Sequence, residues 1–421
     1  MKISLGKFLH FKLPCLFIFF LFLVAYISGS LYWIFTQNFL SESAYLDREK
    51  CPLCFGESLC PKLQQNSIKP SSLSKTKVYD VLRPYATTKV HLASLEKDGV
   101  KTDLILKKLG NDHDLSDFEA RICSQIGDMS CDIATAATRL MGKVEQGQSF
   151  GKFLQGSSKM MFCPSTRLLS ELFGKYEEIS GSGHVLTREK LQIWTTSVIN
   201  QEPLTLQIFP ASDGWPFPVY YGSCGMFVAL SNSGKSIADF YNAEWTVRAG
   251  IAHQLMKMAD MLTNNKAEFS LYLTDVDKDM FAVDSNGVVR LVDLQNVLVV
   301  DKLAVKSARP RGWNDLHEST YAECQGQSFK NCHSFSEVQL CSHVISDHNF
   351  YAICRYILSP HSDVTGQSQG HSFGLLHDIP EVAITDWDLE YLLNECVMPT
   401  RQRGRDQVVH KLIEALGNLR D

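Results

Sequence analysis

Two carboxylates bracket a regular stretch of this chain: Asp275 and Asp293, within YLTDVDKDMFAVDSNGVVRLVDLQNV from Tyr272 to Val297. Between them lie an apolar run, the turn residues Asp284-Ser285-Asn286-Gly287 and a second apolar run, the pattern of a β-hairpin. A hairpin holds the residues just outside its two ends close together. Paired carboxylates at such a mouth suit metal-assisted phosphoryl transfer: one orients the attacking hydroxyl and takes its proton, the other holds a divalent cation. Read as plain structure, both would be solvated loop acids.

The elements that must position these acids follow from periodicity. KVHLASLE and VKTDLILKKL flank Asp98-Gly99, a pair that supplies the positive φ angles of a tight hairpin. Helical patterns follow around Phe118 to Ile126 and Arg167 to Ile179, and two further strands are expected in LTLQIFP and YYGSCGMFVALSN. Ile251, Leu255, Met258 and Leu262 form one stripe of a long helix over Trp245 to Thr263. After the acidic hairpin, Ser346 to Leu358 and Gln407 to Leu419 read as helices. Strands first and helices later predict an α+β fold, a small β-rich lobe before a larger helical one, rather than a repeating βαβ sheet.

At 421 residues with 45% hydrophobic and 21% charged content, the chain can bury a sizeable core, and a net charge of −5 suggests no nucleic-acid partner. Leu13 to Phe35 carries no charged residue over 23 positions. As a helix it would span about 35 Å, enough for a bilayer core of about 30 Å. Lys2, Lys7 and Lys12 precede it, while Glu42, Asp47 and Glu49 follow. The positive-inside rule then predicts a type II signal anchor with residues 1–12 cytosolic and the bulk of the chain exported. Bulky Tyr32, Trp33 and Phe35 end the run where a signal peptide would place small cleavage-site residues. The expected organisation is therefore a tail (1–12), a transmembrane anchor (13–35), a stem with a cysteine cluster (36–77) and a folded domain (78–421).

Cysteine usage fits an exported domain. Of thirteen cysteines, Cys15 lies in the apolar run. The other twelve are Cys51, Cys54, Cys60, Cys123, Cys131, Cys163, Cys224, Cys324, Cys332, Cys341, Cys354 and Cys396, an even number that reads as a disulfide framework. Cys51, Cys54 and Cys60 are too close to pair only among themselves, so at least one should reach elsewhere. Cys324, Cys332 and Cys341 are expected to brace the segment after the acidic hairpin. The C-x2-C of Cys51 and Cys54 is also a zinc spacing, but no second metal-spaced pair follows it nearby. The chain has no Asn-x-Ser/Thr sequon.

The acidic hairpin resembles the catalytic centre of a protein kinase, in which H-R-D-x-x-x-x-N, a strand, a turn and a strand lead to D-F-G. Here Leu273-Thr274-Asp275 and Asp293-Leu294-Gln295 stand at those two places, LILK ending at Lys107 resembles the V-A-I-K strand, and SDHNFYAIC resembles the start of a central helix with Asp347 as its structural acid. More narrowly, KCPLCFGESLC, EPLTLQIFPASDGWPFPVYYGSCG, LTNNKAEFSLYLTDV, VDLQNVLVVDK and DHNFYAICRYIL resemble the divergent protein kinase domain family, in particular its deleted-in-autism branch. The resemblance implies a two-lobe kinase-like domain in the secretory pathway, in the Golgi or endoplasmic reticulum and in some members secreted, using ATP with Mg²⁺ or Mn²⁺. It implies that Lys107 binds the α- and β-phosphates, Asp275 is the catalytic acid/base and Asp293 the metal ligand. The glutamate paired with Lys107 is expected at Glu119, with Glu171 as the alternative. Ser116 three residues earlier would equally make Glu119 part of a capping box, and Lys108 competes with Lys107.

Departures from the kinase pattern bear on activity. Met280 stands where the second metal-binding Asn belongs, and a thioether is a poor ligand for Mg²⁺. RPYATTKVHLAS contains no glycine to cradle phosphate, Gln295 replaces the glycine of D-F-G, and no A-P-E follows. Two functions are thus in view: a luminal kinase holding one metal ion, and a pseudokinase acting as a scaffold or secreted signal on a luminal or secreted protein partner. A third, a metal-dependent glycosyltransferase, would use Asp275-Val276-Asp277 as its D-x-D, but no doubly wound nucleotide-binding pattern surrounds it.

Overall fold

The computed structural model describes residues 19–29, 46–70, 89–97, 99–110, 112–127, 131–147, 149–157, 160–320, 335–359 and 374–420. Its first layer is a five-stranded antiparallel sheet in the order β1 (Ile68–Pro70), β2 (Lys89–Lys97), β3 (Val100–Lys108), β5 (Phe227–Ser231), β4 (Tyr220–Cys224). The β2–β3 hairpin pairs Lys97 with Val100 and turns at Gly99, whose φ of 77° is open to glycine without strain.

Strand period decides what β3 presents to each side. Leu104 and Leu106 are fully buried and pack with Leu46, Leu59, Leu63 and Ile68 from the amino-terminal segment. Lys107, one residue on, faces the opposite side of the sheet. Lys108 returns to the first face, where it pairs with Asp47 at 2.5 Å. Residues 46–70, expected as part of a stem, thus form a layer against the sheet. They include the short helix α1 (Cys60–Gln64) and are tied to β4 by Cys60–Cys224.

Between β3 and the next kinase-like element stands a helical insert that periodicity had shown only in part: α2 (Asp112–Ile126), α3 (Ile133–Gly147), α4 (Phe150–Ser157), α5 (Thr166–Ser180) and α6 (Thr187–Ile199). Phe118 and Phe153 both meet Trp194 of α6 edge-on at 5.0 Å. Nine successive residues of α6, Leu191 to Ile199, are buried, so this helix shows no polar face from which sequence could place it. The stretch LTLQIFP, expected as a strand, is instead the carboxyl part of helix α7 (Glu202–Ile208). Pro203 in the first turn of α7 suits a helix start, where its missing N–H costs nothing.

The helical lobe is organised on α8 (Trp245–Thr263), which packs against α9 (His348–Ile353) and α11 (Gly404–Asn418), while α10 (Leu389–Val397) packs on α11. Ile251, Leu255, Met258 and Leu262, the stripe read from sequence, are at most 4% exposed. Strands β6 (Lys235–Ser236), β8 (Phe281–Val283) and β9 (Val289–Leu291) form one small sheet, with the predicted turn at residues 284–287. Strand β7 (Phe269–Leu273) pairs antiparallel with β10 (Val297–Asp301).

Five disulfides join described residues: Cys51–Cys54, Cys60–Cys224, Cys123–Cys131, Cys163–Cys341 and Cys354–Cys396. Cys60 does reach far from its cluster. Cys341 bonds to Cys163 across the fold, and Cys324 and Cys332 lie outside the described residues. The Cys51–Cys54 bond removes the two thiolates a zinc ion would need. Residues 19–29 are helical; the rest of the 13–35 run lies outside the described residues, and among those described no helix is long and apolar enough to cross a membrane.

Candidate active site

Because β3 turns Lys107 away from the amino-terminal layer, its ammonium enters the space between sheet and helical lobe. There it donates to Glu202 Oε2 at 2.7 Å and to the Val292 carbonyl at 3.3 Å. The Lys107 side chain is 13% exposed and that of Glu202 is fully buried. Burial alone would pull the ammonium down, but the charges of Glu202 and Asp293 outweigh it and hold its pKa above the usual lysine value. Burial pushes the Glu202 carboxyl up, and the Asp293 charge adds to that against the pull of Lys107.

Glu202, at the start of α7, is the glutamate expected at Glu119. Glu119 sits on α2 and pairs with Lys50 at 2.8 Å, and Glu171 is exposed on α5. The correction has a topological cause. The five-helix insert separates Lys107 from its partner by 95 residues, so the first glutamate after the strand belongs to the insert.

Three consecutive side chains, Asn200, Gln201 and Glu202, hold the segment that carries Asp293. Glu202 Oε2 accepts from Leu294 N at 3.4 Å. Gln201 Nε2 donates to the carbonyls of Leu294 at 3.3 Å and Val297 at 2.7 Å. Asn200 Nδ2 donates to Gln295 Oε1 at 3.2 Å. Gln295, where a kinase has glycine, is thereby tethered to the start of α7. Asp293 uses Oδ1 to accept from Gln295 N at 3.0 Å, an Asx turn that leaves Oδ2 without a partner among the described residues.

Asp275 comes to this segment through the β7–β10 pair. Leu273 stands opposite Val297, so the two residues after β7 run past those before β10. Thr274 donates from N and Oγ1 to the Asn296 carbonyl at 3.2 and 2.8 Å, and Asn296 Nδ2 donates to Asp275 Oδ2 at 3.0 Å. Asn296 had no role in the sequence reading; its position one residue after D-L-Q was the only signal.

The base of the Asp275 loop is clamped from α9. Asn349 Oδ1 accepts from Leu273 N at 2.9 Å, and His348 Nε2 donates to the Leu273 carbonyl at 2.9 Å while Ser319 Oγ donates to its Nδ1 at 2.8 Å. Asp347 accepts from Ser319 N at 2.8 Å and forms a buried ion pair with Arg405. The other candidate positions are structural. Met280 is 6% exposed in the apolar core, with its carbonyl taken by Val292 N at 2.7 Å. Asp277, the second acid of the D-x-D, accepts from Asp279 N at 2.7 Å as a helix cap.

The donor set fits a hard divalent cation. Asp293 Oδ2 is available, and Glu202 Oε1 is buried with no hydrogen-bond partner. A divalent cation held at Asp293 would offset the repulsion between Asp293 and Glu202.

Known proteins match this chain over much of its length. Residues 193–399 match the family model described as the protein-kinase domain of FAM69. The chain is 38% identical to divergent protein kinase domain 2A of Xenopus tropicalis over 399 residues, covering 91% of this chain and 90% of that protein. It is 36% identical to the Homo sapiens 2A protein over 406 residues, 93% and 92% of the two chains. Identity to divergent protein kinase domain 2B of Homo sapiens is 31% over 317 residues, 70% of each.

Proposed function

Since the chain belongs to the divergent protein kinase domain family, alongside its 2A and 2B proteins, we propose that its cleft binds ATP with Mg²⁺ or Mn²⁺ and phosphorylates a hydroxyl of a luminal or secreted protein. The observation that carries this reading is the buried Lys107–Glu202 pair, held against the Asp293 segment by Asn200 and Gln201. An ammonium kept charged and fixed by Glu202 is suited to the α- and β-phosphates. The cation, held by Asp293, would neutralise charge on the β- and γ-phosphates. Asp275, clamped through Leu273 and Asn296, orients the attacking hydroxyl and takes its proton as the new O–P bond forms and the bond to the ADP oxygen breaks. The five disulfides suit an oxidising secretory compartment. We assign the 13–35 run as a type II anchor in a Golgi or endoplasmic reticulum membrane, with release into the medium as a secreted form.

A binding-only pseudokinase is the second reading, favoured by Met280 in the apolar core and by the glycine-free stretch 83–94. Calorimetric titration of ATP into the full chain, with and without Mn²⁺, separates the two. Metal-dependent binding should vanish in Asp293→Asn, while Asp275→Asn keeps binding and loses phosphotransfer. A wild-type chain that binds no nucleotide overturns the nucleotide reading; binding without transfer leaves the pseudokinase.

A further inference from the structure

Protein kinases hold their metal ions from two side-chain oxygens, the D-F-G aspartate and the catalytic-loop asparagine, and the second position is closed here. The position five residues after Asp275 is Met280, whose side chain is packed into the apolar core. Asn296 stands in a different part of the chain, three residues after Asp293, yet its amide meets the Asp275 carboxylate. An ionised carboxylate only accepts, so the NH₂ end must face Asp275, and the Oδ1 end is turned away from it. That Oδ1 has no hydrogen-bond partner among the described residues, and the same holds for Asp293 Oδ2 and for the buried Glu202 Oε1.

We propose that Asn296 replaces the missing catalytic-loop asparagine from the opposite strand: Nδ2 orients Asp275, and Oδ1 is a second hard-oxygen ligand for the divalent cation beside Asp293. Where Met280 alone would leave a site for one ion, Asn296 supplies the oxygen for firmer or second-ion binding. The segment is rigid enough for this role. The main-chain carbonyl of Asn296 is fixed by both polar groups of Thr274, and Gln201 and Glu202 hold its neighbours. Those bonds do not involve the Asn296 side chain, so substitutions there leave the loop's anchoring intact.

The inference rests on the nucleotide reading, and the test separates the two. Mn²⁺ binding to the full chain is followed by electron paramagnetic resonance with a non-hydrolysable ATP analogue, for wild type, Asn296→Ala, Asn296→Asp and Met280→Asn, each checked for an unchanged unfolding midpoint at position 296. Asn296→Ala should weaken Mn²⁺ by at least about tenfold. Asn296→Asp keeps an oxygen ligand and should keep Mn²⁺ affinity, but it loses the donor to Asp275, so kcat should fall with KM unchanged. Met280→Asn places an amide in the apolar core and should bring no gain in Mn²⁺ affinity. Wild-type Mn²⁺ affinity in Asn296→Ala, or a gain in Met280→Asn, overturns the ligand role; undiminished kcat in Asn296→Asp overturns the orienting role. A wild-type chain that binds neither analogue nor Mn²⁺ overturns the nucleotide reading itself, and this inference with it.

Discussion

Replacing Glu202 by alanine strands a buried ammonium. Lys107 would keep only the Val292 carbonyl at 3.3 Å, and Leu294 N would lose its acceptor. With Glu202 fully buried and Lys107 13% exposed, solvent screens the pair little. Breaking such a pair from one side costs about 3–5 kcal/mol. A domain of this size has an unfolding entropy near 0.7 kcal/mol/K by the usual per-residue scaling, so the midpoint should drop by about 4–7 °C. Glu119→Ala is the matched control. Its pair with Lys50 is partly solvated, 20% and 34% exposed, and is worth about 1 kcal/mol or less, a shift of about one degree. Lys107→Met combined with Glu202→Leu removes both charges and should recover most of the loss. The assay is a thermal melt of the oxidised chain followed by near-ultraviolet circular dichroism. Equal shifts for Glu202→Ala and Glu119→Ala, or no recovery in the double variant, would refute the assignment of Glu202 as the buried partner of Lys107.

Two further predictions use the same melt. His348 is buried, and its pKa is pushed down to about 4 by that burial, against the Leu273 carbonyl, with His317 and Arg405 adding to the depression. The folded value lies below the unfolded value of about 6.5, so the unfolded chain takes up the proton first and stability falls as pH drops from about 6.5 towards 4. His317, likewise lowered to about 4 by burial and then by His343, acts in the same direction. These two histidines lower the midpoint on acidification, against the raised Glu202 and Asp347 carboxyls, so His348→Gln should lose less than wild type between pH 6.5 and 4; an equal loss contradicts it. Opening Cys60–Cys224, which closes a separation of 164 residues, should cost more than opening Cys51–Cys54 at a separation of 3. Chain entropy alone gives about 5 against about 2 kcal/mol, and paired Cys→Ser variants showing the reverse order would count against it.

Features governed by neighbours in sequence are legible in the sequence itself. The β2–β3 turn at Gly99, the β8–β9 hairpin around residues 284–287 and the stripe on α8 all follow from local periods and turn chemistry. Strand alternation also separates Lys107 from Lys108 once one knows which face meets Leu46 and Leu59, but that knowledge comes from the packed amino-terminal layer. The even cysteine count was readable; the pairing of Cys60 with Cys224 and of Cys163 with Cys341 was not.

The pieces that only the tertiary structure decided are those whose partners lie far along the chain. Residues 204–210 have the composition of a strand, and packing against the insert and the cleft makes residues 202–208 a helix instead. Glu202 reaches Lys107 across 95 residues, and Asn296 reaches Asp275 across 21 through the β7–β10 pair. Sequence by itself determined which residue types could do the chemistry, because side-chain period and turn preference act within a few residues. Which of them meet is set by loop closure and burial over the whole chain, and a one-dimensional pattern carries no term for either.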